Sequence, residues 1–258
     1  GNIEKHVFLC CNDTCGASLQ LFLFLKTQVL RNKIYPACRI LMLLNPYHKK
    51  EDIMLKECLE NVRKKAPLVH NITNYVTVND VANILLACGA SPIMADDRND
   101  VEDITTICSG LNINIGTLNQ NTVPSMLLAG KKANELGHQV LLDPVGAGAG
   151  TFRTETALNL MKEVRFDVIR GNISEIKTLA RGFGRTKGVD ADAADAVTEE
   201  TLSSAITFVK EMAAGLGCII AVTGAIDLVS DGSRAFVIRN GRPEMGQITG
   251  TGCQLSGL

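Results

Sequence analysis

Residues 139–150, QVLLDPVGAGAG, contain the pattern on which the fold prediction depends. The apolar run over 139–142 predicts a buried strand, and Asp143 stands at the carboxyl end of that strand. A turn of small residues follows it. In open α/β sheets, ligands bind beyond the carboxyl ends of the strands. This stretch is therefore one strand-and-turn unit of the predicted fold, and it predicts a ligand site at the edge of the sheet.

Strand-like and helix-like patterns alternate on both sides of this stretch. Predicted strands occupy 69–72, 91–95, 111–115, 139–142, 167–169 and 218–222. Predicted helices occupy a segment from Met54 that ends at Pro67, then 78–88, 101–108, 123–136, 174–180 and 201–214. Residues 226–229 and 235–239 predict a hairpin. The alternation predicts an α/β fold with a mostly parallel central sheet and helices on both faces.

The bulk composition restricts the kinds of partner. The chain has 258 residues, a formal net charge of -1, and 46% hydrophobic residues, which suits one large α/β domain or two small ones. The near-neutral charge predicts that neither nucleic acid nor an anionic membrane is a partner. The apolar runs 19–25 and 40–44 are far shorter than the roughly 20 residues of a membrane span. The nine cysteines include no CxxC pair and favour a reducing compartment, the cytoplasm.

Four polar or glycine-rich segments follow predicted strands. Residues 249–253, TGTGC, precede an apolar helix, so their glycines and a helix N-terminus suit an anion hole, although a glycine-rich connector gives the same pattern. Asp143 suits a Mg²⁺ site or the orientation of a nucleophile, or it caps a turn. Residues 170–175 bring an arginine for phosphate and Glu175, at a spacing that also suits a helix capping box. Thr223 and Gly224 suit a phosphate contact or an ordinary strand exit.

The amino-terminal half contains a second polar cluster. Residues 70–76, HNITNYV, combine amides, a hydroxyl and an imidazole after a short strand, which suits a polar heteroaromatic ligand. His70 alone is more often a structural histidine. Met94 offers an adaptable apolar contact for a ring, although a lone strand methionine is more often part of the core.

In order, these segments resemble the hydroxyethylthiazole kinase family of the ribokinase-like fold. The matching text is PLVHNITNYV, GASPIMA, LLDPVGAGAG, VIRGN with Glu175, VTG and TGTGC, from about Met54 to Leu258. Other small-molecule kinases of this fold usually have aspartate where Cys253 stands. The resemblance implies an ATP-dependent phosphotransferase with an alcohol acceptor, 4-methyl-5-(2-hydroxyethyl)thiazole, in thiamine biosynthesis and salvage. It also implies Mg²⁺ and a homotrimer with thiazole sites shared between subunits.

The resemblance also assigns roles to individual residues. Substrate contacts fall to Met94, Asn74, Val76 and Gly250. Nucleotide contacts fall to Arg170, Thr223 and Asn172. Asp143 and Glu175 are assigned to the support of Mg²⁺, and Cys253, Gly250 and Gly252 are assigned to the site of the reaction. Cys253 is assigned to positioning and polar contact rather than to proton abstraction, because a loose phosphoryl-transfer transition state needs little help from a base.

The chain departs from the family at both ends. Residues 1–53 match nothing in the family pattern and are interpreted as disordered or as an artefact of gene prediction. Family members continue past TGTGC, so the kinase domain, 54–258, is expected to be C-terminally truncated. The alternatives are a catalytically inactive fragment, a thiazole- or nucleotide-binding protein, and a hydroxymethylpyrimidine or sugar kinase of the same fold. The stretch 188–200 is expected to be a surface loop.

Overall fold

The computed structural model describes residues 48–184 and 196–258. Its strands are β1 Leu68–Ile72, β2 Ser91–Met94, β3 Gly110–Asn114, β4 Gln139–Asp143, β5 Val168–Gly171, β6 Ile219–Val222, β7 Asp227–Ser230 and β8 Ala235–Ile238. Its α-helices are α1 His48–Lys65, α2 Val78–Cys88, α3 Val101–Ile107, α4 Thr122–Leu136, α5 Thr151–Glu163, α6 Ile173–Gly182, α7 Leu202–Leu216 and α8 Thr251–Gly257. A short 3₁₀ helix, Pro243–Gln247, precedes α8.

The strands form one eight-stranded sheet in the order β2-β1-β3-β4-β5-β6-β7-β8. The pairs from β2 to β6 are parallel, and β7 and β8 add an antiparallel hairpin at one edge. The predicted mostly parallel sheet and its terminal hairpin are therefore confirmed. Because the parallel strands all end at the same edge, side chains from separate parts of the sequence meet there.

Alternating side chains along the strands build a separate core on each face of the sheet. Ile220 and Val222 of β6 belong to the main core, which packs against α4, α5, α6 and α7. Ile219 and Ala221 of the same strand point to the other face, where they pack with Leu255 of α8. Helices on both faces are what the sequence pattern predicted.

One helix, α5, was not predicted from the sequence. Its fully buried positions are Thr156, Ala157 and Leu160, so only one of them is a large apolar side chain, and Leu158 and Met161 are partly buried beside them. A pattern of apolar spacing needs more such residues to stand out. The first described helix also differs, since α1 begins at His48 rather than at Met54.

The described part of the expected surface loop, residues 196–200, contains neither helix nor strand. Residues 188–195 of that loop and residues 1–47 lie outside the described ranges. Among the described residues, no helix combines the length and the apolar character that a membrane span requires.

Candidate active site

Polar side chains converge at the carboxyl ends of β3, β4, β5 and β6. Asp143 is the last residue of β4, and Arg170 lies near the end of β5. Thr223 follows β6 directly, and Gly250 precedes α8. The parallel register of the strands brings these groups from distant parts of the chain to one edge.

The centre of this region is a buried ion pair between Asp143 and Arg170. A guanidinium nitrogen of Arg170, Nη2, donates to Asp143 Oδ2, and the two residues are 0% and 5% exposed. Ser256 of α8 joins both partners: its Oγ accepts from Arg170 Nε at 2.9 Å and donates to Asp143 Oδ2 at 2.8 Å. Removing one member of such a buried pair leaves an uncompensated charge at a cost of about 3–5 kcal/mol. The pair is therefore held in one arrangement.

The two oxygens of Asp143 have very different surroundings. Oδ2 accepts from Arg170, from Ser256 and from Asn114 Nδ2, the last at 2.8 Å. Oδ1 is buried, and no group in the described ranges donates a hydrogen bond to it. A buried carboxylate oxygen without a hydrogen-bond donor raises the free energy of the folded protein, and such an atom is typical of a functional position. Oδ1 is thus available to a ligand.

Cys253 lies beside this network. It is 7% exposed, and its Sγ is 3.2 Å from Asn114 Nδ2. Cys253 also belongs to a small apolar cluster with α2 residues, against which Met94 and Val145 pack. The structure therefore places Met94, a predicted substrate contact, and Cys253 in one cluster.

The two glycines around Cys253 are needed for close approaches. Gly250 has a φ of 85°, and a Cβ there would lie 2.4 Å from Thr77 Cγ2. A Cβ at Gly252 would lie 2.8 Å from Arg170 Nη1. A side chain at Gly250 would displace Thr77, which precedes α2, and a side chain at Gly252 would displace Arg170. Glycine at both positions therefore lets the backbone approach these two residues closely.

A cavity of about 590 Å³ opens on the other side of this chain segment. Thr223 and Gly252 both line it, and Arg170 Nη1 donates to Thr223 Oγ1 at 3.3 Å. Its other lining residues are Gly224, Ala225, Asn240, Gly241, Arg242, Pro243, Met245, Gly246, Thr251 and Leu255. A second cavity of about 300 Å³ is also lined by Thr223 and includes Asn172. Of the predicted nucleotide residues, Thr223 and Asn172 thus line these adjacent cavities, and Arg170 is connected to them through its hydrogen bond to Thr223.

Asn172 and Glu175 form the capping box that the sequence allowed. Asn172 Oδ1 accepts from the Glu175 N–H, and Glu175 Oε2 accepts from the Asn172 N–H, each at 2.8 Å. Glu175 Oε1 accepts from the Gly146 N–H at 2.8 Å, which ties α6 to the turn after β4. Burial raises the pKa of the Glu175 carboxyl and Asp143 adds to the rise, while the two backbone N–H groups and Arg170 oppose it. Helix capping is therefore an actual role of this pair.

A magnesium site at Asp143 and Glu175 agrees with the donor set. Within the described ranges, no group of three or more His, Cys, Asp or Glu side chains has the arrangement of a metal cluster. Mg²⁺ in phosphoryl-transfer sites needs only one or two carboxylates, together with substrate phosphates and water. The unsatisfied Asp143 Oδ1 supplies such an oxygen, and Glu175 lies within electrostatic reach of Asp143.

The segment 70–76 divides into a buried part and an exposed part. His70 is fully buried: its ring nitrogens lie 2.9 Å from Thr105 Oγ1 and 2.8 Å from the Ala95 carbonyl oxygen, and burial lowers its pKa. His70 is therefore the structural histidine of the plainer interpretation. Asn74 Oδ1 accepts from the Val76 N–H at 2.9 Å. Val76 itself is 59% exposed, so the structure does not enclose it with Cys253.

Two members of the network, Asn114 and Ser256, were not among the predicted site residues. The only sequence signal for Asn114 is polarity: it lies within the predicted strand 111–115, between the apolar residues Ile113 and Ile115. Ser256 carried no signal, because it follows TGTGC in what appeared only as an apolar helix.

The comparisons with known proteins agree with this architecture. The hydroxyethylthiazole kinase of Clostridium acetobutylicum is 65% identical over 205 residues, which are 80% of this chain and 75% of that protein. The corresponding kinase of Clostridium beijerinckii is 53% identical over 206 residues, which are 80% and 74% of the two chains. A solved structure of a hydroxyethylthiazole kinase protein from Pyrococcus horikoshii OT3 has a TM-score of 0.70 at 41% identity and covers 78% of this chain and 73% of its own.

More distant similarity identifies the fold class. A solved ribokinase-like superfamily protein of Enterococcus faecalis V583 covers 74% of this chain and 68% of its own, with a TM-score of 0.50 at 13% identity. The architecture is therefore ribokinase-like. The hydroxyethylthiazole kinase family model matches residues 59–258, and the chain belongs to that family.

Proposed function

We propose that this protein transfers the γ-phosphoryl group of ATP to the hydroxyl of 4-methyl-5-(2-hydroxyethyl)thiazole, a step of thiamine biosynthesis and salvage. The observation behind the proposal is the set of contacts of the buried Asp143–Arg170 pair. Asp143 has one oxygen without a donor among the described residues and shares Asn114 with Cys253, and Arg170 donates to Thr223, which lines the large cavity. A charged centre connected to an apolar cluster on one side and to a roomy cavity on the other suits the transfer of a phosphoryl group from a nucleotide to a small alcohol.

The large cavity is the proposed nucleotide site. Arg170 and Thr223 contact the phosphates, and Asn172 faces the adjoining cavity. Arg170 already gives Nη2 to Asp143 and Nε to Ser256, so Nη1, beside Thr223 and Gly252, is its donor toward the cavity. A planar guanidinium fixed in this way is well suited to bind phosphate oxygens.

The thiazole ring is proposed to bind against Met94, with Asn74, Val76 and Gly250 around it. Met94 supplies a polarizable apolar surface next to Cys253. Asn74 lies beside Gly116, where a Cβ would come within 2.3 Å of Asn74 Nδ2, so the two loops are in close contact. In the proposed binding mode the hydroxyethyl arm points toward Cys253.

Asp143 and Glu175 are the residues that would hold Mg²⁺. The ion would offset the negative charge of the phosphates. The residues contribute what the structure already contains: a free oxygen on Asp143, and a Glu175 carboxylate fixed by the backbone N–H groups of Gly146 and Asn172. Each Glu175 oxygen has a second lone pair for a ligand.

The transfer forms a bond between the alcohol oxygen and the γ-phosphorus and breaks the bond from that phosphorus to the ADP oxygen. The proton of the alcohol leaves to water or to the phosphoryl oxygens. Arg170 and the chain segment from Gly250 to Cys253 stabilise the charge on the transferring group. Cys253 positions the alcohol by polar contact, so the Cys253→Ser variant is expected to retain appreciable turnover.

The proposed assembly is a homotrimer in the cytoplasm. Tyr75 and Val76, next to the predicted substrate residue Asn74, are 75% and 59% exposed. A second subunit covering these side chains would complete the apolar wall of the thiazole site. Light scattering on the purified protein is expected to give three times the mass of one chain.

The decisive assay is ADP release with Mg-ATP and a panel of acceptors. The proposal expects ADP with hydroxyethylthiazole and only background with hydroxymethylpyrimidine or a sugar. ADP release with one of the other acceptors would contradict the assigned substrate. Binding of the thiazole in calorimetry without ADP release would instead indicate a catalytically inactive binding protein.

A further inference from the structure

Asn114, the last residue of β3, connects the carboxylate and the thiol of the candidate site. It is 2% exposed. Its side-chain nitrogen lies 2.8 Å from Asp143 Oδ2 and 3.2 Å from Cys253 Sγ. An amide nitrogen has two protons, so one Asn114 side chain has a proton for each group.

The orientation of the Asn114 amide is set by the turn that follows β3. Asn114 Oδ1 accepts from the Gly116 N–H at 2.9 Å. A flipped amide would place its oxygen against the Asp143 carboxylate and its nitrogen against the Gly116 N–H, and both contacts would be repulsive. The donor side of Asn114 therefore faces Asp143 and Cys253.

A side chain of α5 stabilises the turn that follows β3. Arg153 Nη1 donates to the carbonyl oxygens of Ile115 and Gly116, at 2.9 and 2.6 Å. The turn also packs closely against Asn114, since a Cβ at Gly116 would lie 2.9 Å from Asn114 Oδ1. Asn114 is thus supported by a fixed turn while it donates to two groups that belong to other elements.

We propose that Asn114 is a positioning residue that fixes the distance between the Asp143 carboxylate and the Cys253 sulfur. The sulfur accepts from Asn114, so the proton of the Cys253 thiol remains available to the acceptor alcohol. The carboxylate oxygen that accepts from Asn114 is Oδ2, which leaves Oδ1 as the ligand-facing atom. The expected effect on catalysis rests on the proposed kinase function, but the contact between Asn114 and Cys253 is testable without catalysis.

The geometric test is the alkylation rate of individual cysteines, followed by peptide mass spectrometry at one pH. A thiol that is 7% exposed reacts only after local opening, and in the open state its solvation is the same in every variant. Loss of the hydrogen bond from Asn114 to the Cys253 sulfur in the Asn114→Ala variant is expected to speed alkylation of Cys253 about fivefold. Cys88 of α2, which is also buried, is the internal reference and is expected to keep its rate.

Matched variants separate hydrogen bonding from loss of volume. Asn114→Leu fills the space without a donor and is expected to resemble Asn114→Ala. Asn112, two residues earlier on β3 and 2% exposed, donates to Asn71 Oδ1 rather than to the site. Asn112→Ala is therefore expected to leave the ratio of the Cys253 and Cys88 rates unchanged.

The kinetic test measures how the Asn114→Ala substitution changes kcat and KM separately. Residues that orient a functional group typically cost 10–100-fold when removed, so we expect kcat of the Asn114→Ala variant to fall about 10–100-fold. KM for the thiazole is expected to change less than about threefold, because the ring contacts remain.

Equal acceleration of Cys253 and Cys88, or the same rate ratio in the Asn112 and Asn114 variants, would overturn the inference. An active Asn114→Ala enzyme with unchanged kcat would do so too. If the wild-type protein makes no ADP, the proposed function fails, and the alkylation ratios still decide whether Asn114 positions Cys253.

Discussion

Asp143 and Glu175 are two carboxylates at the same edge of the sheet, one fully buried and one half-buried, and their surroundings differ. Glu175 has both oxygens bonded to backbone N–H groups, in a capping box that also ties α6 to the turn after β4. Asp143 has three donors on one oxygen and none from the described residues on the other. The difference shows that the hydrogen bonds of Glu175 serve helix capping, while Asp143 keeps one oxygen without a donor among the described residues, as is typical of functional positions.

The largest expected effect is that of Asp143→Asn. The neutral amide keeps the shape but removes the charge that faces Arg170, so we expect kcat to fall about 10²–10³-fold. The free energy of unfolding, measured with urea, is expected to fall by about 3 kcal/mol because Arg170 stays buried without a counter-charge. Asp103→Asn, an exposed carboxylate on α3, is the control and is expected to match the wild type. A wild-type kcat in the Asp143→Asn variant would show that Asp143 has no role in the reaction.

The next effect is that of Gly252→Ala. The added methyl group would lie 2.8 Å from Arg170 Nη1 and would force the guanidinium out of its present position. A misplacement of about 1 Å in such a site can cost about 100-fold, and we expect that loss in kcat/KM for ATP. Gly150→Ala is the matched control, because a Cβ at Gly150 meets no atom within 4 Å. Equal kinetics in both variants would contradict the proposed role of the Arg170 contact.

A smaller effect is expected for Glu175→Gln. Glutamine also serves in a capping box, so α6 should persist with a loss of about 1 kcal/mol from one mismatched hydrogen bond. If Glu175 also holds Mg²⁺, kcat should fall about tenfold, and a higher Mg²⁺ concentration should restore part of it. A stable variant with unchanged kcat and unchanged Mg²⁺ dependence would leave Glu175 with the capping role alone.

The smallest expected effect concerns the pH dependence of stability. Burial raises the pKa of Glu175 above its ordinary value of 4.5. The stability that the protonated carboxyl contributes is thus fully present below pH 4.5 and is lost as the pH rises through the folded pKa. We expect the free energy of unfolding of the wild type to fall relative to Glu175→Gln above pH 4.5. A difference that is constant with pH would contradict the assigned burial of the charge.

The same comparison shows what the sequence was able to predict. The strands were predictable because short apolar segments alternate with helical patterns, and the Glu175 capping box was predictable because its two residues stand three apart. The position of Asp143 at the end of β4 followed from the apolar run 139–142 that precedes it. The sequence left the functional and structural meanings of both carboxylates open, since spacing alone does not show which oxygens are satisfied.

What remained hidden depends on contacts between distant residues. Ser256 meets Asp143 across 113 positions, and Asn114 meets Cys253 across 139. Such pairs form only when α8 packs against the strand ends, so no local sequence pattern predicts them. Helix α5 was missed for a different reason, because its buried face is built mainly from Thr156 and Ala157 rather than from large apolar side chains.

The most direct test of the account is the product of a reaction with Mg-ATP and hydroxyethylthiazole, followed by mass spectrometry and by the amount of ADP. We predict that the wild-type protein adds one phosphoryl group to the thiazole alcohol in equal amount to the ADP released, and that Asp143→Asn forms far less product in the same time. ADP without a phosphorylated thiazole, or equal product from both proteins, would contradict the account.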